Sequence, residues 1–120
     1  MIFLDTNILV EYLKGNKSII ESYSLDELFI SDIVLMELYQ GAKNKSDLNF
    51  IVKKVAVFKV LKTDSEIIKL ATALVKKYNL SHNMKMMDAI IASTAMVYDI
   101  ELMSLNVKDF RYIPELRMVV

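Results

Sequence analysis

The chain contains no cysteine, one proline, two glycines and one histidine, and its 15 basic residues are balanced by 15 acidic ones. Without cysteine there is no disulfide framework, no thiolate nucleophile and no thiolate metal site. With so few chain breakers, and 54% of residues hydrophobic, a disordered or low-complexity polypeptide is excluded. The balanced charge removes any global basic excess, so attraction to a polyanion would have to come from local lysines or from a bound cation. No basic segment precedes an apolar run at the N-terminus, so no signal peptide is expected. The longest uncharged stretch, Ala89 to Tyr98, falls far short of the ~20 residues of a membrane span. A cytoplasmic protein folded as one domain over residues 1–120 is expected, without a membrane anchor.

What is present is an alternation of short apolar runs with helical patterns. Met1-Ile2-Phe3-Leu4 has no polar alternation, as expected of a strand buried on both faces, and it stops on Asp5-Thr6-Asn7. Ile8, Leu9, Tyr12 and Leu13 then mark a helix that breaks at Gly15-Asn16, and Ser18 to Ser24 is expected to form a further short helix. Leu28-Phe29-Ile30-Ser31 reads as a second strand, with Asp32 as the cap of a helix from Ile33 to Ala42. Ser46 or Asp47 is expected to cap the next helix, and Val57 to Leu61 to form a third strand. Asp64 or Ser65 begins a helix with Ile67, Ala71, Leu74 and Tyr78 on one face, expected to stop at Asn79 before a polar loop from Ser81 to Lys85. Met86 to Tyr98 is a nearly all-apolar helix, Ile100 to Ser104 a fourth strand, and Leu116 to Val120 a segment expected to close the sheet edge. This alternation predicts an α/β fold with a parallel sheet and helices on both faces.

Three acids stand in apolar surroundings: Asp5 at the end of the first strand, Glu37 in Val34-Leu35-Met36-Glu37-Leu38-Tyr39, and Asp88 in Met86-Met87-Asp88-Ala89-Ile90. A buried carboxylate needs a cation or hydrogen-bond donors. One shared divalent ion would satisfy all three, and oxygen ligands of this kind suit Mg²⁺ or Mn²⁺. Alternatively each acid is satisfied separately: a cap at Asp5, solvent at Glu37, the helix macrodipole at Asp88. The turn Ser104-Leu105-Asn106-Val107-Lys108-Asp109 follows the fourth strand, on the edge where open α/β sheets keep ligands, and also fits an ordinary capped turn. His82 reads as a solvated loop residue.

In order and spacing, Phe3-Leu4-Asp5-Thr6-Asn7, Ile30-Ser31 with Met36-Glu37-Leu38 and Gly41, Met87-Asp88-Ala89-Ile90-Ile91-Ala92, and Leu102-Met103-Ser104 with Asn106 to Phe110 and Ile113-Pro114 resemble the PIN domain, specifically VapC-like toxins. The resemblance covers nearly the whole chain. It implies a three-layer α/β/α fold with four to five parallel strands in order 3-2-1-4-5. It further implies an Mg²⁺- or Mn²⁺-dependent endoribonuclease acting on RNA, often a homodimer, held by a cognate antitoxin. Asp5, Glu37 and Asp88 match the family's acidic positions, and Asn7, Ser31 and Ser104 match supporting ones. Asn106 stands where many members carry a fourth acid. It keeps an oxygen acceptor and lacks the charge, so Asp109 is the alternative fourth metal ligand. Lys85 and Lys108 flank the expected site and could meet RNA phosphates, although solvated lysines read the same way. Two rivals remain: a PIN fold whose chemistry has lapsed, acting as a binding module, and a small phosphatase suggested by Asp5-Thr6-Asn7.

Overall fold

In the computed structural model, which describes residues 1–119, the N-terminal apolar run becomes β1 (Ile2–Leu4), buried at all three positions. Both its neighbours are parallel: β2 (Leu28–Ser31) on one side and β4 (Glu101–Met103) on the other, with β3 (Lys59–Leu61) beyond β2. The sheet order is therefore 3-2-1-4. A strand enclosed on both faces and both edges has no polar environment to meet, which is why β1 carries only apolar side chains.

Helices α1 (Thr6–Leu13), α2 (Asp32–Gln40) and α3 (Lys45–Val55) connect β1, β2 and β3. Helices α4 (Ser65–His82) and α5 (Met86–Val97) then carry the chain back across the sheet to β4. Right-handed crossovers in opposite directions place the two sets on opposite faces, giving three α/β/α layers. Helix α5 is buried from Ala89 to Ala95, and α4 buries Ile67, Ala71, Leu74 and Tyr78 on it. The reversal of direction falls between β1 and β4, where Leu4 pairs with Met103 and Asp5 N–H donates to the Met103 carbonyl at 3.0 Å. That switch point fixes where the carboxyl ends of two strands open side by side.

The fifth strand is reduced to a single bridge. Met118 pairs with Leu102, Leu102 N–H donates to the Arg117 carbonyl and Val119 N–H to that of Leu102, both at 2.9 Å. Val120, the last residue of the expected segment, lies outside the described residues. Other boundaries shift for local reasons. Ser31, not Asp32, caps α2 by accepting from Val34 N–H at 3.2 Å. Asp32 instead accepts from both the N–H and the hydroxyl of Thr63, tying the loop after β3 to the start of α2. Asn44 caps α3 in place of Ser46 or Asp47, accepting from Asp47 N–H. Between Ser18 and Ser24 only a turn of 3-10 helix forms, Lys17–Ile19. Strand β3 starts at Lys59, because Phe58 N–H still bonds back to Val55 at the end of α3.

Helix α4 runs past Asn79 to His82, through part of the stretch expected as loop. Its last turn is held by tertiary contacts of Tyr78 and His82 with Tyr112, which no local pattern records. Asn83, at φ 53°, ends it in the left-handed conformation that Asn tolerates better than most residues.

Candidate metal-binding site

Asp5 leaves β1 in extended backbone and occupies the cap position of α1. Its Oδ1 accepts from Thr6 N–H at 2.7 Å. Its Oδ2 accepts from the Ser104 hydroxyl at 2.8 Å and, more weakly, from Asn7 Nδ2 at 3.4 Å. The capping and site readings of Asp5 are thus not exclusive: one oxygen serves the helix start and the other faces β4. Ser104 uses its whole bonding capacity here, giving its proton to Asp5 and accepting from Asn7 Nδ2 at 3.2 Å and Asn106 N–H at 3.0 Å. Asn7 Oδ1 accepts from Leu105 N–H at 3.1 Å, so the turn after β4 is stitched to the start of α1.

Glu37 projects from the middle of α2 and reaches the same place, its Oε1 accepting from the Thr6 hydroxyl at 2.6 Å. Asp88 enters from the first turn of α5. Asp5, Thr6, Asn7, Glu37, Asp88 and Asn106 line one open cavity of about 290 Å³, with Val10, Met87 and Ile91 as its apolar lining. Of the two candidates for the fourth position, Asn106 lines the cavity. Asp109 lies on the 3-10 turn Val107–Asp109, exposed at the rim and within electrostatic reach of Asp5 and Asp88. Ser31 is fully buried as the cap of α2 and makes no bond to an acid; its support is for the helix that carries Glu37. Lys85, at the cap position of α5, and Lys108 are exposed. Among the described residues neither pairs with a site acid.

The electrostatics are those of like charges held together. Asp5 is 8% exposed, and burial raises its pKa above the usual carboxylate value, opposed by Ser104 and Thr6 and reinforced by Glu37 and Asp109. Asp88 is raised to about 6, first by burial and then by Asp109, Asp5 and Glu37. Among the described residues no cation forms an ion pair with any of the four acids.

Nor do any three His or acidic side chains among the described residues close in tightly enough to clasp a metal by themselves. The carboxylates ring the cavity instead of meeting at a point, and Glu37 and Asp5 are held back by Thr6 and Ser104. An all-oxygen ring with uncompensated charge and room for solvent fits a hard divalent cation that keeps part of its water shell. Sequence reasoning gave no role to Thr6, which bonds two of the acids at once; its place between Asp5 and Asn7 at a strand end was the available signal.

A family model described as PIN domain matches residues 2–116. The chain is similar to Ribonuclease VapC2 of Methanocaldococcus jannaschii, 30% identical over an alignment covering 98% of this chain and 92% of that protein. It is also similar to Ribonuclease VapC of Rickettsia bellii, at 29% identity covering 98% and 94%. Among solved structures, the DNA-bound VapBC from Salmonella typhimurium superposes with a TM-score of 0.85 at 25% identity, covering 98% of this chain and 96% of that one. A toxin–antitoxin complex from Klebsiella pneumoniae gives a TM-score of 0.81 at 29% identity, covering 97% and 95%.

Proposed function

The chain belongs to the PIN domain family, and from that premise we propose that it is a divalent-metal-dependent endoribonuclease of the VapC type, the toxin of a toxin–antitoxin pair. The observation that carries the reading is the convergence of Asp5, Glu37 and Asp88 with Asn106 on one cavity, with Asp109 at its rim and no protein cation paired to them. We assign residues 1–120 to a single PIN-like domain, working in the cytoplasm. Among the described residues no helix is long and apolar enough to cross a membrane.

Asp5, Glu37 and Asp88 would hold Mg²⁺ or Mn²⁺, with Asn106 or Asp109 completing the set. When bound, the ion supplies Lewis acidity toward a phosphodiester oxygen and acidifies water. The chain's own contribution is positional. Ser104, Asn7 and Thr6 fix both oxygens of Asp5, and the Thr6 hydroxyl fixes Glu37, so those two carboxylates are oriented before substrate arrives. Among the described residues no hydrogen-bond donor reaches Asp88, and burial first and the neighbouring acids second raise its pKa to about 6, which leaves its charge uncompensated by the protein. With no net charge to gather RNA, Lys85 and Lys108 are the local cations that would meet its phosphates.

The partners consistent with this reading are an RNA substrate, a cognate antitoxin and a second copy of the chain. Replacement of the fourth acid by Asn106 favours, as the alternative, a lapsed PIN fold that only binds. The test is cleavage of RNA by purified protein with and without Mg²⁺ or Mn²⁺, set against Asp5→Asn. Loss of a hundredfold or more in rate is expected, on the order of what several kcal/mol of transition-state charge stabilisation supplies. A folded Asp5→Asn protein that cleaves like the parent would end the ribonuclease assignment.

A further inference from the structure

The imidazole of His82, the last residue of α4, lies flat on the ring of Tyr112, with centroids 4.0 Å apart and planes 15° from parallel. Tyr78 meets both rings edge-on, at 5.6 Å from His82 and 5.0 Å from Tyr112. These three separations put both Tyr rings on the same side of the imidazole. No other aromatic ring among the described residues stacks on the opposite face, and His82 is exposed overall. The Ser81 hydroxyl, 2.8 Å from Nδ1, fixes the rotation of the ring. An exposed aromatic stack held rigid from below and from one edge is unusual for a solvated loop histidine, because ordering such rings costs side-chain entropy without burying the upper face.

Tyr112 is within electrostatic reach of two site acids, Asp88 and Asp109. Tyr112 follows Asp109 by three residues, and the chain runs from His82 through Asn83, buried Met84 and Lys85 into the first turn of α5, where Asp88 stands. Asp88 and Asp109 are close enough to Tyr112 to hold its phenol proton more tightly than usual, after burial itself.

We propose that the His82–Tyr112 stack is a substrate platform, on which one unpaired base of RNA lies against the free face of His82 while the adjoining phosphodiester enters the acidic cavity. Unpaired nucleotides are the form of RNA that proteins read by stacking on aromatic and His side chains, and every base has a π-face to offer. Lys85, exposed and three residues along the chain from both His82 and Asp88, is the local cation for the intervening phosphate. The platform selects for an unpaired nucleotide at a fixed offset from the scissile bond, which is a specificity role and leaves the bond-breaking groups unchanged. This inference rests on the ribonuclease reading.

The test uses full-length protein with Mg²⁺ and a short single-stranded RNA carrying a fluorescent aminopurine base, moved in turn through each register. In the parent protein one register is quenched, and the same base in a duplex is not. His82→Ala, with circular dichroism confirming that the fold is kept, abolishes the quenching. It also weakens binding by about five- to a hundredfold, the range for loss of one base–aromatic stack. In cleavage it raises KM by a similar factor with kcat retained, and His82→Phe restores both quenching and KM. The proposal is overturned if no register is quenched in the parent, if His82→Ala binds and cleaves like the parent, or if His82→Phe is as defective as His82→Ala. Failure of the ribonuclease reading would show elsewhere, as cleavage that survives Asp5→Asn.

Discussion

Neutralising Asp88 without changing its shape should make the protein more stable and inactive at the same time. Its carboxyl is moved from 3.8 to about 6, chiefly by burial and then by Asp109, Asp5 and Glu37. At ~1.4 kcal/mol for each tenfold in proton affinity, the charged form destabilises the fold by ~3 kcal/mol. Asp88 is only half-buried, so screening by water brings this to about 1–2 kcal/mol. Because the folded state binds this proton more tightly than the unfolded chain, stability falls as pH rises from 3.8 through about 6 and stays reduced above it. Asp88→Asn has no such proton to lose. In EDTA at pH 7 it should therefore melt about 4–8 °C above the parent, taking ~2.1 cal/mol/K of unfolding entropy per residue. The two melting curves should converge as pH is lowered to about 4, near the unfolded value. Added Mg²⁺ should reverse the ranking: the parent gains stability by mass action while the variant gains little. Thermal melting across this pH range, with chelator and then with Mg²⁺, reads all three effects. If Asp88→Asn melts no higher than the parent at pH 7 in chelator, the picture of a carboxylate destabilised by burial beside like charges is wrong.

Asn106→Asp adds a charge at the cavity wall and should tighten Mg²⁺ on the order of tenfold by calorimetry, since affinity at oxygen sites follows ligand charge. Asp109→Asn, at the exposed rim, should cost less in affinity than Asp5→Asn; a larger cost would make Asp109 the direct ligand. The hydroxyl of Ser93, fully buried in α5, has no hydrogen-bond partner among the described residues. Ser93→Ala should thus stabilise the fold by about 0.5–1.5 kcal/mol in urea unfolding, with cleavage unchanged. A loss of stability there would show that the hydroxyl is bonded in solution.

The sequence by itself determined those features whose cause is local. An uninterrupted apolar run makes β1, because only a strand enclosed on every side tolerates three such residues in succession, Ile2 to Leu4. The same logic makes α5 a buried helix, and the spacing of Ile67, Ala71, Leu74 and Tyr78 shows which face of α4 it packs with. Asp5, Glu37 and Asp88 stood out because a carboxylate among apolar neighbours demands compensation. That they share one site, and that the strands run 3-2-1-4, followed from resemblance of the whole motif order, since no periodicity relates positions 5, 37 and 88. Only the tertiary structure decided how the acids are held. The Thr6 hydroxyl on Glu37 and the Ser104 hydroxyl on Asp5 span 31 and 99 residues. A hydrogen bond between distant side chains leaves no trace in local pattern. The raised pKa of Asp88 arises first from its burial and then from three other acids, all of them consequences of the fold. The last turn of α4 and the His82–Tyr112 stack have the same origin: Tyr112, thirty residues further along the chain, supplies the surface that keeps His82 in a helix where composition alone reads a polar loop.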